Sequence, residues 1–124
     1  MEPLALTNSE WHVLDCLWSR SPMTVMELVA ELKARVGWAK STTITTLRRM
    51  EGKGLVRCEL EGRTRHYFPA VDRREAVRQE TRSFLDRVYQ GSVGLMVSAM
   101  AHEKALSREE IDALYAVLQE AERK

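Results

Sequence analysis

Ser41-Thr42-Thr43-Ile44-Thr45-Thr46-Leu47-Arg48-Arg49-Met50, followed by Lys53-Gly54-Leu55-Val56 and a basic segment from Arg57 to Tyr67, is the stretch on which the reading of this chain turns. Leu47 and Met50 stand three apart and mark the inward stripe of a helix. Ser41, Thr45 and Arg48 then lie on the opposite face, with Thr42 and Arg49 on its flank. Either Thr43 or Ile44 completes the stripe. After Gly54, the residues Leu55, Val56, Cys58 and Leu60 read as a strand, Glu61-Gly62-Arg63-Thr64 as a turn, and Arg65 to Phe68 as the return strand, which Pro69 stops.

Four helix starts elsewhere share one grammar: an apolar residue, a Ser, Thr or Asp cap, and Glu three places after the cap, which is the capping-box pattern. They are Leu6-Thr7-x-x-Glu10, Met23-Thr24-x-x-Glu27, Val71-Asp72-x-x-Glu75 and Leu106-Ser107-x-x-Glu110. The first opens a helix with Trp11, Leu14, Leu17 and Trp18 inward, ending near Arg20 ahead of Pro22. The second carries Leu28, Val29, Leu32 and Val36 inward and stops at Gly37. The third runs to about Gln90, where Gly91 and Gly94 mark a break before a short apolar helix over about 93–102. The fourth carries Ile111, Leu114, Tyr115 and Leu118 at helical spacing.

The helix beginning near Lys40 breaks the rule, because neither Ala39 nor Lys40 is a good cap and Ser41 is followed three places on by Ile44. A phosphate oxygen is the natural external acceptor for uncapped helix amides, and a merely less stable helix start is the other reading. Helix, helix, helix, hairpin, then three further helices is the order of a winged helix-turn-helix with a helical tail. The expected class is mainly α with a small β-hairpin: a winged helix-turn-helix DNA-binding domain over residues 1–70 and a helical dimerisation region over 71–124.

Charge points the same way. The chain is net +1, yet residues 33–65 hold nine Lys/Arg against three acids, a window of +6 that leaves −5 for the remainder. Such polarity is the electrostatic footprint of a face that meets phosphate, although charge alone also fits a solvated basic surface. Short hydroxyls and guanidiniums suit a major groove, since Arg pairs with guanine or phosphate, and Ser and Thr reach either bases or backbone. The candidate DNA-binding residues are therefore Lys40, Ser41, Thr42, Thr45, Arg48, Arg49, Arg63 and Arg65. Thr42, Thr45 and Arg48 are expected in the groove, and Arg49 and Arg63 on the backbone, with Arg63 at the exposed tip of the wing. Ile44 either packs inward or touches a thymine methyl. Tyr67 reads as packing.

No catalytic set emerges. His12, His66 and His102 fall in three different elements, without a nucleophile motif, a Gly-rich phosphate loop or a metalloprotease helix. His12 and Cys16 stand four apart on one helix, but two ligands are too few for a closed zinc site, and Cys16 reads as a buried structural residue. No metal, cofactor or enzymatic activity is expected. Cys16 and Cys58 do not form a disulfide framework, and the most apolar run, Val93 to Ala101, is less than half of the ~20 residues that a spanning helix needs. A reduced, cytoplasmic setting without membrane insertion is the expectation.

The tail carries more large apolar residues than a short helical segment can bury alone. Phe84, Leu85, Val88, Tyr89, Leu95, Met96, Met100, Ile111, Leu114 and Leu118 are the candidate dimerisation residues. An identical tail from a second chain is the economical partner, and a dimer of winged helices reads two half-sites. The alternative is a tail folded back on its own winged domain.

The order and spacing of several motifs resemble one family. Leu6-Thr7-x-x-Glu10-Trp11-x-Val13-Leu14-x-x-Leu17-Trp18, Ser41-Thr42-Thr43-x-Thr45, Leu47-x-Arg49-Met50-x-x-Lys53-Gly54-Leu55-Val56, Arg65-x-Tyr67-x-Pro69, Phe84-Leu85-x-x-Val88-Tyr89-x-Gly91 and Leu106-Ser107-x-x-Glu110-Ile111-x-x-Leu114 are together similar to the penicillinase-repressor (BlaI/MecI) family of bacterial transcriptional repressors, which also contains the copper-responsive CopY repressors. The resemblance implies a homodimer that represses genes from a palindromic operator. In the β-lactam-responsive members, a membrane sensor protease triggers cleavage in the tail. Carried over by position, the scissile bond is Ala99-Met100, with Ala99 where the best-known members have a polar residue. The Cys-x-Cys pairs of the copper-responsive members are absent, so copper sensing through such thiolates is not expected. Ile44 occupies a position that is often basic in relatives. Direct induction by a small molecule bound between tail and winged domain, or a winged fold used as a protein-interaction adaptor, are the competing readings.

Overall fold

Thr7 accepts from the Glu10 amide (3.2 Å) while the Glu10 carboxylate accepts from the Thr7 amide (2.8 Å), so the first helix opens on a complete capping box. The structure is a computed structural model that describes residues 5–103 and 106–123. In chain order it contains α1 (Asn8–Ser19), β1 (Met23–Thr24), α2 (Val25–Val36), α3 (Lys40–Gly52), β2 (Val56–Glu61), β3 (Thr64–Pro69), α4 (Arg73–Tyr89), α5 (Val93–His102) and α6 (Arg108–Glu122). Thr24–Glu27 and Ser107–Glu110 form complete boxes at α2 and α6. The box expected at α4 is only half made: Asp72 accepts from the Glu75 amide at 3.2 Å, but the Glu75 carboxylate turns forward to Arg78 and Gln79. Those hydrogen bonds, Arg78 first, pull the Glu75 pKa down to about 2.

The chain divides into two compact units, Met1–Glu80 and Thr81–Lys124, with the boundary inside α4. In the first unit, α1, α2 and α3 pack against an antiparallel sheet of order β1-β3-β2. The hairpin pairs Val56 with Pro69, Cys58 with Tyr67, and Leu60 with Arg65. Met23 and Thr24, expected only as an apolar contact and a cap, also form β1 beside Tyr67 and His66, so the expected hairpin becomes a three-stranded sheet.

Leu14, Leu17, Leu28, Leu32, Leu47 and Met50 are buried in the core together with Val13, Cys16, Met23 and Tyr67. Within α1 the fully buried apolar residues are Val13, Leu14, Cys16 and Leu17, whereas Trp11 and Trp18, expected inward, are half-buried at its edge. Their rings meet edge to face at 5.6 Å, and the Trp18 indole donates to the Val71 carbonyl at 3.0 Å, a polar demand that keeps the ring at the margin. Val29 and Val36 are likewise half-buried beside Leu28 and Leu32. Gly37 ends α2 in the left-handed region, at φ 72°, donating to Lys33 and Leu32 carbonyls.

The second unit comprises the later turns of α4 with α5 and α6. Gln90 (φ 50°) and Gly91 (φ 82°) break the chain after α4, and the Gly91 amide donates back to Leu85 at 3.0 Å. Gly94, expected to share in that break, lies instead in the first turn of α5, which Ser92 caps by accepting from Leu95 at 3.1 Å. Among the described residues, none from Thr81 onward is buried. No helix of the described residues is long and apolar enough to cross a membrane.

Candidate nucleic-acid interface

The polar helix α3 buries Thr43, Thr46, Leu47 and Met50, a stripe at spacings of three and four, and so exposes Ser41, Thr42, Thr45, Arg48 and Arg49. Thr43, rather than Ile44, completes the stripe. Its hydroxyl is buried without a hydrogen-bond partner among the described residues, and Ile44 is half-buried beside it. Ala39 is the N-cap and contributes no side-chain hydrogen bond, so α3 starts without a side-chain cap, unlike α1, α2, α5 and α6.

The wing supplies the second part. Gly62, at φ 67°, closes the hairpin beside Arg63, where a left-handed residue turns the chain without a Cβ penalty. Arg63 stands exposed at that turn, and Arg65 is exposed on β3 with its guanidinium 4.0 Å from the Cys58 sulfur. Arg57, on the opposite face of the hairpin, is engaged by Glu59 and lies 4.2 Å over the Phe68 ring. Lys40, Arg48, Arg49 and Arg63 have no ion pair among the described residues. Cations held in water without a partner are free to take phosphate oxygens.

Two clefts border the exposed face of α3. On one side Ile44, Arg48 and Glu51 meet Arg65 and Tyr67 of β3 and Val25 of α2 around about 320 Å³. On the other, Ser41, Thr42, Thr45, Thr46 and Arg49 meet Ser9 of α1 around about 310 Å³. Sequence reasoning had no route to Ser9, because a residue inside a capping box carries no local sign of a neighbour in another helix. The two helices are tied together at Lys53, whose ammonium lies 2.7 Å from the Glu10 carboxylate, itself 2% exposed. Burial pushes the Glu10 pKa up, but Lys53 and the Thr7 amide outweigh it and hold the carboxyl below its ordinary range.

Cys16 is buried and desolvation pushes its thiol pKa up, which fits a packing residue. His12 is exposed and turns toward Trp38 at 6.0 Å, edge to face. Among the described residues no group of three or more His, Cys, Asp or Glu could hold a metal ion.

In the second unit, Phe84, Val88, Leu95, Met100 and Leu118 are exposed, while Leu85, Tyr89, Met96, Ile111 and Leu114 are half-buried. Two apolar clefts run between α5 and α6, one of about 380 Å³ reaching Ile111, Leu114 and Leu118, the other of about 400 Å³ reaching Met96, Met100 and Leu114. Ala99 and Met100 both lie within α5, Ala99 half-buried and Met100 41% exposed.

Comparison with known proteins adds lineage to this geometry. The model of the penicillinase repressor family matches residues 6–120. The penicillinase repressor of Bacillus licheniformis is 32% identical over 115 residues, covering 93% of this chain and 90% of that protein. The solution structure of the Bacillus licheniformis BlaI monomeric form in complex with the blaP half-operator aligns with a TM-score of 0.53 at 27% identity, over 60% of this chain and 90% of that one. MepR, a regulator of the Staphylococcus aureus efflux pump MepA, aligns with a TM-score of 0.51 at 22% identity over 94% of this chain and 77% of its own, a likeness of fold.

Proposed function

The chain belongs to the penicillinase repressor family, a family of DNA-binding transcriptional repressors, and from that premise we propose that it represses transcription as a homodimer on a palindromic operator. The observation that carries the proposal is the exposed face of α3, where unpaired hydroxyls and guanidiniums stand beside a basic wing on a helix that lacks its own cap. Thr42, Thr45 and Arg48, with Ser41 beside them, face the bases of the major groove; Lys40, Arg49, Arg63 and Arg65 face the backbone. A relative of this fold binds a half-operator in its monomeric form, so one winged unit per half-site is the working stoichiometry.

Dimerisation belongs to the second unit. Among the described residues, eleven large apolar residues are exposed, and eight of them, from Phe84 to Leu118, belong to the second unit. A matching tail would bury them and set two copies of α3 at half-site spacing. The winged unit needs no such partner, since its own core is filled. DNA binding therefore tests α3 separately from the tail. Arg48→Ala is expected to weaken operator binding by more than ~1 kcal/mol and to lower its salt dependence; unchanged affinity and slope would remove Arg48 from the interface.

Derepression by cleavage at Ala99–Met100 completes the reading, with a membrane-bound sensor protease as the partner. α5 is only ten residues long and follows a break at Gln90–Gly91, so the helix has little stability of its own and opens locally for a protease at low cost. The intact mass of the repressor recovered from induced cells checks this. Two fragments meeting at that bond support it; a full-length chain in derepressed cells refutes it.

A further inference from the structure

A helix about 10–12 Å across nearly fills a major groove about 12 Å wide, so its ridge meets bases while its flanks come against the two phosphate backbones. The flank of α3 away from the wing is not made by α3 alone. Among the described residues, its polar cleft has Ser9 of α1 as the one lining residue from another element. Ser9 is half-buried, and its hydroxyl has no hydrogen-bond partner among the described residues. Thr7 caps α1, so the Ser9 side chain is not committed to the helix start.

The charge around this cleft also favours an anion. Arg49 lines it and has no carboxylate partner among the described residues. Glu10, next to Ser9, is buried and tied to Lys53, so its carboxylate does not line the cleft. That same ion pair joins α1 to the C-terminal cap of α3, so the two walls of the cleft are held together.

We propose that this cleft seats one DNA backbone phosphate between the Ser9 hydroxyl and the Arg49 guanidinium, making α1 a second DNA-contacting helix. Arg49 supplies the charge and Ser9 a neutral donor that fixes the position of the phosphate, and with it the depth of α3 in the groove. The proposal rests on the assignment of α3 to DNA. It adds a residue outside that helix and gives it a role blind to base sequence.

Full-length Ser9→Ala, Ser9→Asp and Thr45→Ala variants, titrated across a salt series against the duplex that the wild-type chain selects from a random pool and against a scrambled duplex, test it. Ser9→Ala is expected to weaken binding to both duplexes by the same factor, about tenfold, with the salt slope unchanged because no charge is removed. Its melting temperature should match the wild type, since Ala is a good helix residue and no internal bond is lost. Ser9→Asp should abolish binding to both. A single methylphosphonate that weakens the wild type should cost less in Ser9→Ala. Wild-type affinity for Ser9→Ala overturns the proposal, as does a loss confined to the selected duplex, which would make Ser9 a base reader. If Thr45→Ala loses sequence preference while Ser9→Ala is silent, only this inference fails; if both are silent, the assignment of α3 fails with it.

Discussion

Replacing Lys53 with Met removes the cation from a carboxylate that remains 2% exposed, and the size of the penalty can be worked out from the geometry. The Lys53–Glu10 pair is 2.7 Å long, with the Lys53 side chain 47% exposed and Glu10 enclosed. Stripping the partner from a fully buried pair costs about 3–5 kcal/mol; water around Lys53 screens the interaction, so about 2 kcal/mol is expected here. Glu10→Gln should cost less, about 1 kcal/mol, because it leaves no buried charge and Lys53 can return to solvent. The folded pKa of Glu10 lies below its ordinary value, so its contribution is present above about pH 4 and is lost as pH falls through the folded pKa. In Lys53→Met only the Thr7 hydrogen bonds still oppose burial, the carboxyl takes up a proton more readily, and the penalty shrinks as pH drops below about 4. Urea denaturation at pH 7 and pH 3.5 reads both effects. A Lys53→Met penalty under about 0.5 kcal/mol at pH 7, or a larger one for Glu10→Gln, would show that Lys53 does not offset the burial of the Glu10 charge.

Two other perturbations address separate parts of the molecule. Leu118→Arg places a charge on an α6 residue that is already 58% exposed in the single chain; folding should be unaffected, sedimentation should shift from dimer to monomer, and operator affinity should fall while half-site binding persists. Thr24→Ala removes the cap of α2 and its side-chain bond to the Glu27 amide at 3.2 Å; a loss of about 1 kcal/mol is expected in thermal or urea unfolding.

What could be read from the residues alone was what depends on short spacing. Thr7, Thr24 and Ser107 announce their helices because a cap and its Glu partner sit three residues apart and make the same two bonds wherever they occur. The hairpin, its glycine turn and the end of α2 at Gly37 were legible for the same reason. Asp72 shows the limit, because Glu75 had a cation one turn ahead and turned to Arg78 instead of back. The strand β1 could not be seen, since two residues acquire strand character only from Tyr67 and His66, far along the chain. The choice between Thr43 and Ile44 was equally tertiary. Hydropathy favours Ile44 inside, yet the stripe set by Thr46, Leu47 and Met50 rotates Thr43 inward and leaves Ile44 on the wing-side cleft. The exposed face of α3 was legible as a set of residue types and a missing cap. That Ser9 borders it was not, because nothing in the capping-box spacing encodes which helix packs alongside.

The central claim, that α3 and the wing read a two-fold operator, is tested most directly by selecting duplexes from a random pool with the intact chain and repeating the selection with Thr45→Ala, Arg48→Ala and Arg63→Ala. An enriched palindrome is expected, its half-site preference relaxed at defined positions by the first two variants, while Arg63→Ala weakens binding evenly and keeps the sequence. No enriched sequence, or one left unchanged by Thr45→Ala and Arg48→Ala alike, would contradict the claim.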